Sequence, residues 1–394
     1  MTRNPFRGGA LVFFSAATLV AAAAWAKKPV SALPKPERSG IRHIVVVMME
    51  NRSFDHLLGW LPGAEGRQSG LTYADGDGVS HPTYPLAPDY QGCAYEDPDH
   101  SVDGGRAQLD GGLCDGWLRA GTSDLFPIGY YVQRDEAFFG RAAEDWTVLD
   151  HYFAPILAPT YPNRIYQHSA VTDRLDDSVF PPSTLPTIWD RLAEEGIAGK
   201  YYFSDIPFIA LWGPKYASIS HTYEEFLADC ASGNLPAVSF VDPPFNGESG
   251  GTSADDHPHG DIRAGEAFLD RTYEALIASP EWASTVVVVN FDEWGGFFDH
   301  VVPPAAPDVD PAFTQRGFRV PALVISPWSR RGYVGSGIYD HASVLKMIEW
   351  RFHLQPLSIR DSQATNLAEV LDFSNPNLSA PAYGVGSFTP SPCP

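Results

Sequence analysis

Positive charge, sulfur and long apolar runs are all scarce in this chain of 394 residues. It has 27 lysines and arginines against 48 aspartates and glutamates, a net charge of −21. Such a surface repels nucleic acid and anionic lipid at long range, which argues against a nucleic-acid partner. There are four cysteines, Cys93, Cys114, Cys230 and Cys393. Their spacings match no thiolate metal motif. In an exported chain an even count suggests disulfides instead. Cys93 and Cys114 bracket one loop and are the expected pair; the pairing of Cys230 and Cys393 stays open. Internal repeats and long low-complexity tracts are also missing. Beyond the first residues, no segment is long and apolar enough to span a membrane.

The beginning of the chain reads as a leader. Arg3 and Arg7 precede an apolar stretch from Leu11 to Ala24, and Ala24-Trp25-Ala26 has the small-residue form of a cleavage site. The stretch is short for a membrane anchor, and the absence of paired arginines favours the general export route. Residues 1–26 are therefore expected to be a signal peptide, and the mature chain to be secreted or periplasmic. Residues 27–394 are expected to form one domain. The chain is 44% hydrophobic and 13% aromatic, enough for a large core.

Two runs carry the fold signal. Ile44 to Met49 and Thr285 to Phe291 are unbroken, β-branched-rich apolar stretches, the pattern of strands buried on both faces. The first ends in Glu50-Asn51 and the second in Asp292-Glu293. Asp299-His300 follows soon after. Ser53 reads as the N-cap of the next helix. Further strands are expected at Gly199–Phe203, Ala237–Val241 and Val320–Ser326. Helices are expected near Ile188–Glu195, Tyr223–Ala231, Ile262–Ala278 and Ala342–Phe352. Alternating strands and helices imply an α/β fold, a three-layer sandwich with a central, mostly parallel sheet. Ligands bind such sheets beyond the carboxyl ends of the strands, where Glu50, Asn51, Asp292 and Glu293 would stand.

Leu61 to about Gly140 is rich in Gly, Asp, Pro and Tyr and reads as a loop-rich excursion over that edge. It contains Asp97-Pro98-Asp99-His100-Ser101, whose histidine would on local grounds be solvated. Its aromatics, among them Tyr73, Trp117, Phe126 and Tyr131, either pack the excursion down or wall a pocket. The same choice applies to Phe208, Leu211 and Trp212 in an aromatic loop from Pro207 to Ser220. In Ala158-Pro159-Thr160-Tyr161-Pro162-Asn163-Arg164, two prolines are expected to keep Thr160 out of regular helix. Its hydroxyl would then stand at the mouth of a helix starting near Asn163, where anions are favoured. Asp255 to Asp261 brings His257 and His259 between a strand end and a helix start. A pocket of such oxygen donors with histidines on its rim suits a divalent cation and a phosphate ester.

The segments MMENRSFDHLLGW, DPDHS, PTYPNR, HPHGDIRAGE, FDEWGGFFDHVVPP and YDHASVLKMIEWRF resemble, in order, those of the bacterial phosphoesterase family. That family holds non-specific phospholipases C and a group of acid phosphatases, and its fold is alkaline phosphatase-like. The resemblance implies one divalent ion (calcium, magnesium or zinc) held by Glu50, Asn51, Thr160, Asp292 and Glu293. It implies Thr160 as nucleophile, and His100, His257 and His259 in contact with the phosphoryl group. The substrate would be a phospholipid, cleaved to diacylglycerol and a phosphorylated headgroup with transient membrane-surface contact. A phosphomonoester is the alternative. An exported binding protein with a degenerate site is the reading outside enzymes, and the full set of residue types argues against it.

Overall fold

A computed structural model describes residue 1 and residues 32–121 and 124–394, so the leader lies outside the described residues. The two apolar runs become neighbouring strands, β1 (His43–Met49) and β6 (Thr285–Phe291), with Met49 opposite Phe291. Every residue of both is buried. Successive strand residues face opposite ways, so both faces of the sheet are covered.

Six shorter strands complete the sheet: β2 (Thr147–Leu149), β3 (Gly199–Phe203), β4 (Ser220–Thr222), β5 (Val238–Val241), β7 (Ala322–Ile325) and β8 (Tyr333–Gly335). The order is β8-β2-β7-β6-β1-β5-β3-β4. Only β7 runs against its neighbours. Around the sheet lie α1 (Phe54–Leu58), α2 (Thr160–Ser169), α3 (Ile188–Glu194), α4 (Tyr223–Ser232), α5 (Ile262–Ile277) and α6 (His341–Phe352). Helix α2 packs on α3 and α6, and α4 packs on α5. The architecture is thus the expected α/β sandwich, and Ala32–Pro394 form one compact unit. Among the described residues no helix is long and apolar enough to cross a membrane.

Local chemistry explains where the helices begin. Ser53 accepts from the His56 amide, Asp261 from the Arg263 amide and Asp340 from the Ala342 amide, each a side-chain N-cap. The start of α2 differs from expectation. Thr160 is its first residue, with Pro159 as the N-cap and Pro162 inside the first turn. Proline is tolerated there because first-turn amides have no partner within the helix. The span from Pro207 to Ser220 holds short 3₁₀ turns between Phe208 and Ile219, broken by non-helical backbone at Trp212, Gly213 and Tyr216.

The disulfide expectation fails. Cys93 bonds Cys393, 300 residues away, and Cys114 and Cys230 are buried free thiols. Cys114 lies in a satellite core with Tyr73, Trp117 and Leu118, and Cys230 faces inward from α4. The tail after Asn375, expected along the surface, is pinned there. Tyr383 is buried against the body, and Cys393 donates its amide to the Gly250 carbonyl at 2.9 Å.

Candidate active site

The register of the sheet decides which side chains meet. β1 is parallel to both β6 and β5, with Met49 opposite Phe291 and Val47 opposite Val241. The residues just past these ends, Glu50, Asp292 and Asp242, are therefore gathered at one edge. All three are buried. Arg164, the fifth residue of α2, reaches into them. Its Nε lies 2.9 Å from Glu50 Oε1 and 3.6 Å from Asp292 Oδ2, and its Nη1 lies 3.2 Å from Asp242 Oδ1. Neither Arg164 nor Asp242 stood out in the sequence. Asp242 ends an ordinary buried strand before Pro243-Pro244. Arg164 looks like one more helical residue until three strand ends converge on it.

Asn51 turns the chain in the left-handed region, with φ of 61°. Its amide donates to Asp292 Oδ1 at 3.1 Å. Gly295 packs so closely on this turn that a β-carbon there would lie 2.0 Å from the Asn51 carbonyl, which accounts for the glycine. Thr160, 7% exposed, donates its hydroxyl to Asn51 Oδ1 at 3.3 Å. His100 reaches the same amide group, with Nε2 3.3 Å from Asn51 Nδ2. The structure thus puts Thr160, Asn51, His100, Asp292 and Glu50 in one neighbourhood. His100 is half-buried over the strand ends, which corrects the local reading of it as a solvated loop residue.

The Asp255–His259 segment is tied to β1, because the Glu50 amide donates to the Asp255 carbonyl at 2.7 Å. His257 Nδ1 lies 2.5 Å from the Pro258 carbonyl. His257 joins two groups whose ligand atoms lie within 4.8 Å of one another: Asp97 with His100, and Glu50 with Glu248. Asp292 and Glu293 are in neither group. Glu248 and Asp255 were not singled out in the sequence. His259 stands further out, with Nε2 2.9 Å from the Tyr95 carbonyl. The aromatics read as packing or pocket wall contribute to the cores of the excursion and sheet. Tyr73, Trp117, Phe126, Tyr131, Phe208, Leu211 and Trp212 are all buried.

The electrostatics at this edge are lopsided. Burial lifts Glu50 and Glu293 well above the carboxylate range. It pushes Asp292 and Asp255 up to about 6, Asp242 up to about 7 and Glu248 up to about 9. Burial opposes charge on His100, but the carboxylates of Glu293 and Asp97 outweigh it and raise the ring to about 9. His257 is pushed down to about 3, first by burial and then by the charge of His100. Glu293 Oε1 is buried with no hydrogen-bond partner, and Asp292 Oδ2 has only its 3.6 Å ion pair with Arg164. Unpaired buried carboxylate oxygens are costly, and a hard divalent cation is the group that relieves them. The donor set therefore fits a metal ion.

Residues 41–355 match the model of the Phosphoesterase family. The chain belongs to that family and is a hydrolase acting on phosphoric ester bonds. It is 32% identical over 426 residues to Phospholipase C B of Mycobacterium tuberculosis, covering 86% of this chain and 80% of that one. It is 30% identical over 389 residues to Non-specific phospholipase C6 of Arabidopsis thaliana, covering 87% and 75%. Among solved structures, a protein of the alkaline phosphatase superfamily from Vibrio parahaemolyticus superposes with a TM-score of 0.41 at 10% identity. That match covers 82% of this chain and 69% of the other.

Proposed function

We propose that this protein is an exported phospholipase C that works through Thr160. The observation that carries the reading is the meeting of Thr160, at the start of α2, with Asn51 at the end of β1. The naming of the relatives as phospholipases C supports the substrate class. Glu50, Asn51, Thr160, Asp292 and Glu293 are the residues that would hold one divalent ion. When bound, such an ion neutralises the phosphate oxygens and lowers the pKa of a hydroxyl.

In the proposed reaction, Thr160 Oγ1 attacks phosphorus from the start of α2. His100, whose Nε2 lies 3.3 Å from Asn51 Nδ2, donates to the phosphoryl oxygens. The bond from phosphorus to the glycerol oxygen breaks, and diacylglycerol leaves after gaining a proton. Water then attacks the phosphorylated Thr160 and releases the phosphorylated headgroup, and the hydroxyl is restored. Water carries the protons of these two steps, and His257 and His259 contact the phosphoryl group from the rim.

Short-chain phosphatidylcholine, short-chain phosphatidylethanolamine and a soluble phosphomonoester test the reading, each with and without chelator. The diesters should be cleaved faster, giving diacylglycerol and the phosphorylated headgroup, and chelator should abolish turnover. A kcat/KM that strongly favours the monoester would instead assign the protein as an acid phosphatase.

A further inference from the structure

The segment YDHASVLKMIEWRF takes no part in the chemistry above. It opens α6 at His341, which is fully buried. His341 Nε2 lies 2.9 Å from the main-chain carbonyl of Asp292, and Nδ1 lies 3.2 Å from the Tyr152 hydroxyl. A carbonyl only accepts, so Nε2 carries the proton. Burial lowers the ring to about 3, so it is neutral, and Nδ1 accepts from Tyr152. The Tyr152 oxygen in turn accepts from Asn290 Nδ2 at 2.9 Å, and the same amide group donates to Gln167 Oε1 at 3.1 Å. Asn290 interrupts the apolar run of β6 two residues before Asp292, and Gln167 lies on α2 with Thr160. The chain of contacts is buried throughout.

Its end point is the peptide that joins Asp292 to Glu293. The amide of that peptide donates to Asp292 Oδ1 at 2.7 Å, and the same oxygen accepts the Asn51 amide at 3.1 Å. One edge of the peptide is therefore held by Asp292 itself and the other by His341. A peptide turns as a rigid plane, so rotation here would displace the two carboxylates relative to each other. His341 is anchored in its own backbone. Asp340 caps α6 by accepting the Ala342 amide at 2.9 Å and is paired with Arg316 and Arg360. Tyr339 and Asp340 also pair in parallel with Tyr152 and Phe153, which brings the tyrosine and the histidine together.

We propose that His341 is a positioning residue: by holding the 292–293 peptide it sets how tightly Asp292 and Glu293 take a divalent ion. The inference rests on the reading that these two residues hold one. Groups that orient metal ligands from behind typically contribute about ten- to a hundredfold in affinity.

Two substitutions divide the ring between its nitrogens. His341→Gln keeps a donor at the place of Nε2, and His341→Asn keeps only an acceptor at the place of Nδ1. The full-length protein is stripped with chelator and titrated with calcium, magnesium and zinc in turn, with Kd read from calorimetry and ion-free Tm from melting. His341→Asn should weaken the ion that wild type binds by about tenfold or more, and His341→Gln should stay within about threefold of wild type. A purely structural role would lower the ion-free Tm and leave both Kd values as in wild type, which would overturn the inference. An equal loss of affinity in both variants would overturn it too, because the donor to Asp292 would not be what matters. If His341→Asn does not fold, histidine nitrogen shifts of the wild type decide: the Nε2–H tautomer is expected, and an Nδ1–H tautomer would contradict the proposal. A wild type that binds none of the three ions would overturn the metal reading along with it.

Discussion

Two buried acid clusters lie a few residues apart along the same strand ends and differ in one respect. Asp55, Asp299 and His300 surround Arg319, all from segments that follow β1 and β6. Arg319 Nε lies 2.9 Å from Asp299 Oδ1 and Nη2 3.1 Å from Asp55 Oδ1. Its Nη1 donates to the Glu65 and Asp150 carbonyls. His300 completes the group on Asp55. Both Asp55 and Asp299 also accept backbone amides. At the other cluster, Glu50, Asp242 and Asp292 share one arginine, and Glu293 Oε1 is buried with no hydrogen bond. Identical residue types thus serve as structure where every oxygen is paired. At the strand ends, where Glu293 Oε1 has no hydrogen bond, the proposed divalent ion would be the partner.

Substitutions should separate the clusters. The largest effect expected is on turnover: Thr160→Ala or Asp292→Ala should lower kcat by several orders of magnitude with the circular dichroism spectrum unchanged. Full activity in Thr160→Ala would remove the covalent route. Arg319→Met should act on stability, because it strands two buried carboxylates. A loss of about 3–5 kcal/mol is expected in urea titrations, and a loss below 1 kcal/mol would contradict the role given to this cluster.

Sequence patterns and final structure part company at identifiable places. The β-branched runs announce β1 and β6 because burial on both faces leaves no room for polar alternation. The direction of β7 has no such signature, since parallel and antiparallel strands bury the same side chains. Glu50 and Asp292 are legible because each interrupts an apolar run. Glu248 and Asp255 are acids among acids in a loop, and only folding onto β1 gives them a role. Asp299-His300 follows Asp292-Glu293 closely in sequence, and only Arg319, some twenty residues on, tells the two apart. Cys393 pairs with Cys93 because the tail returns across α5, a path that residue spacing does not carry.

The strap supplies the next contrast. Cys393→Ser removes a crosslink spanning 300 residues. Chain entropy puts its contribution at up to about 5 kcal/mol. Thermal unfolding should shift downward, and diester kcat/KM should fall through the Glu248 loop while the Arg319 cluster stays protected in hydrogen exchange. Peptide mapping that joins Cys93 to Cys114 would refute the pairing itself.

The smallest expected effect concerns a third cluster, where Asp340 meets Arg360 and Arg316. Burial opposes charge on Asp340, but the two guanidinium groups outweigh it and lower the carboxyl to about 2. Because the folded pKa is depressed, this stability is complete above the unfolded value near 4 and is lost as pH falls through about 2. The contribution is about 2 kcal/mol. Asp340→Asn should flatten the stability profile between those limits, and an unchanged acid limb would count against the assignment.

Thermal melting with and without divalent ions tests the claim on which the comparison turns. After chelation, one of calcium, magnesium or zinc at saturating concentration should raise the wild-type Tm by the equivalent of about 3 kcal/mol. Asp292→Asn should lose that shift, whereas Asp299→Asn should melt lower yet keep it. A wild type indifferent to every ion, or an Asp292→Asn variant that responds as wild type does, would contradict the account.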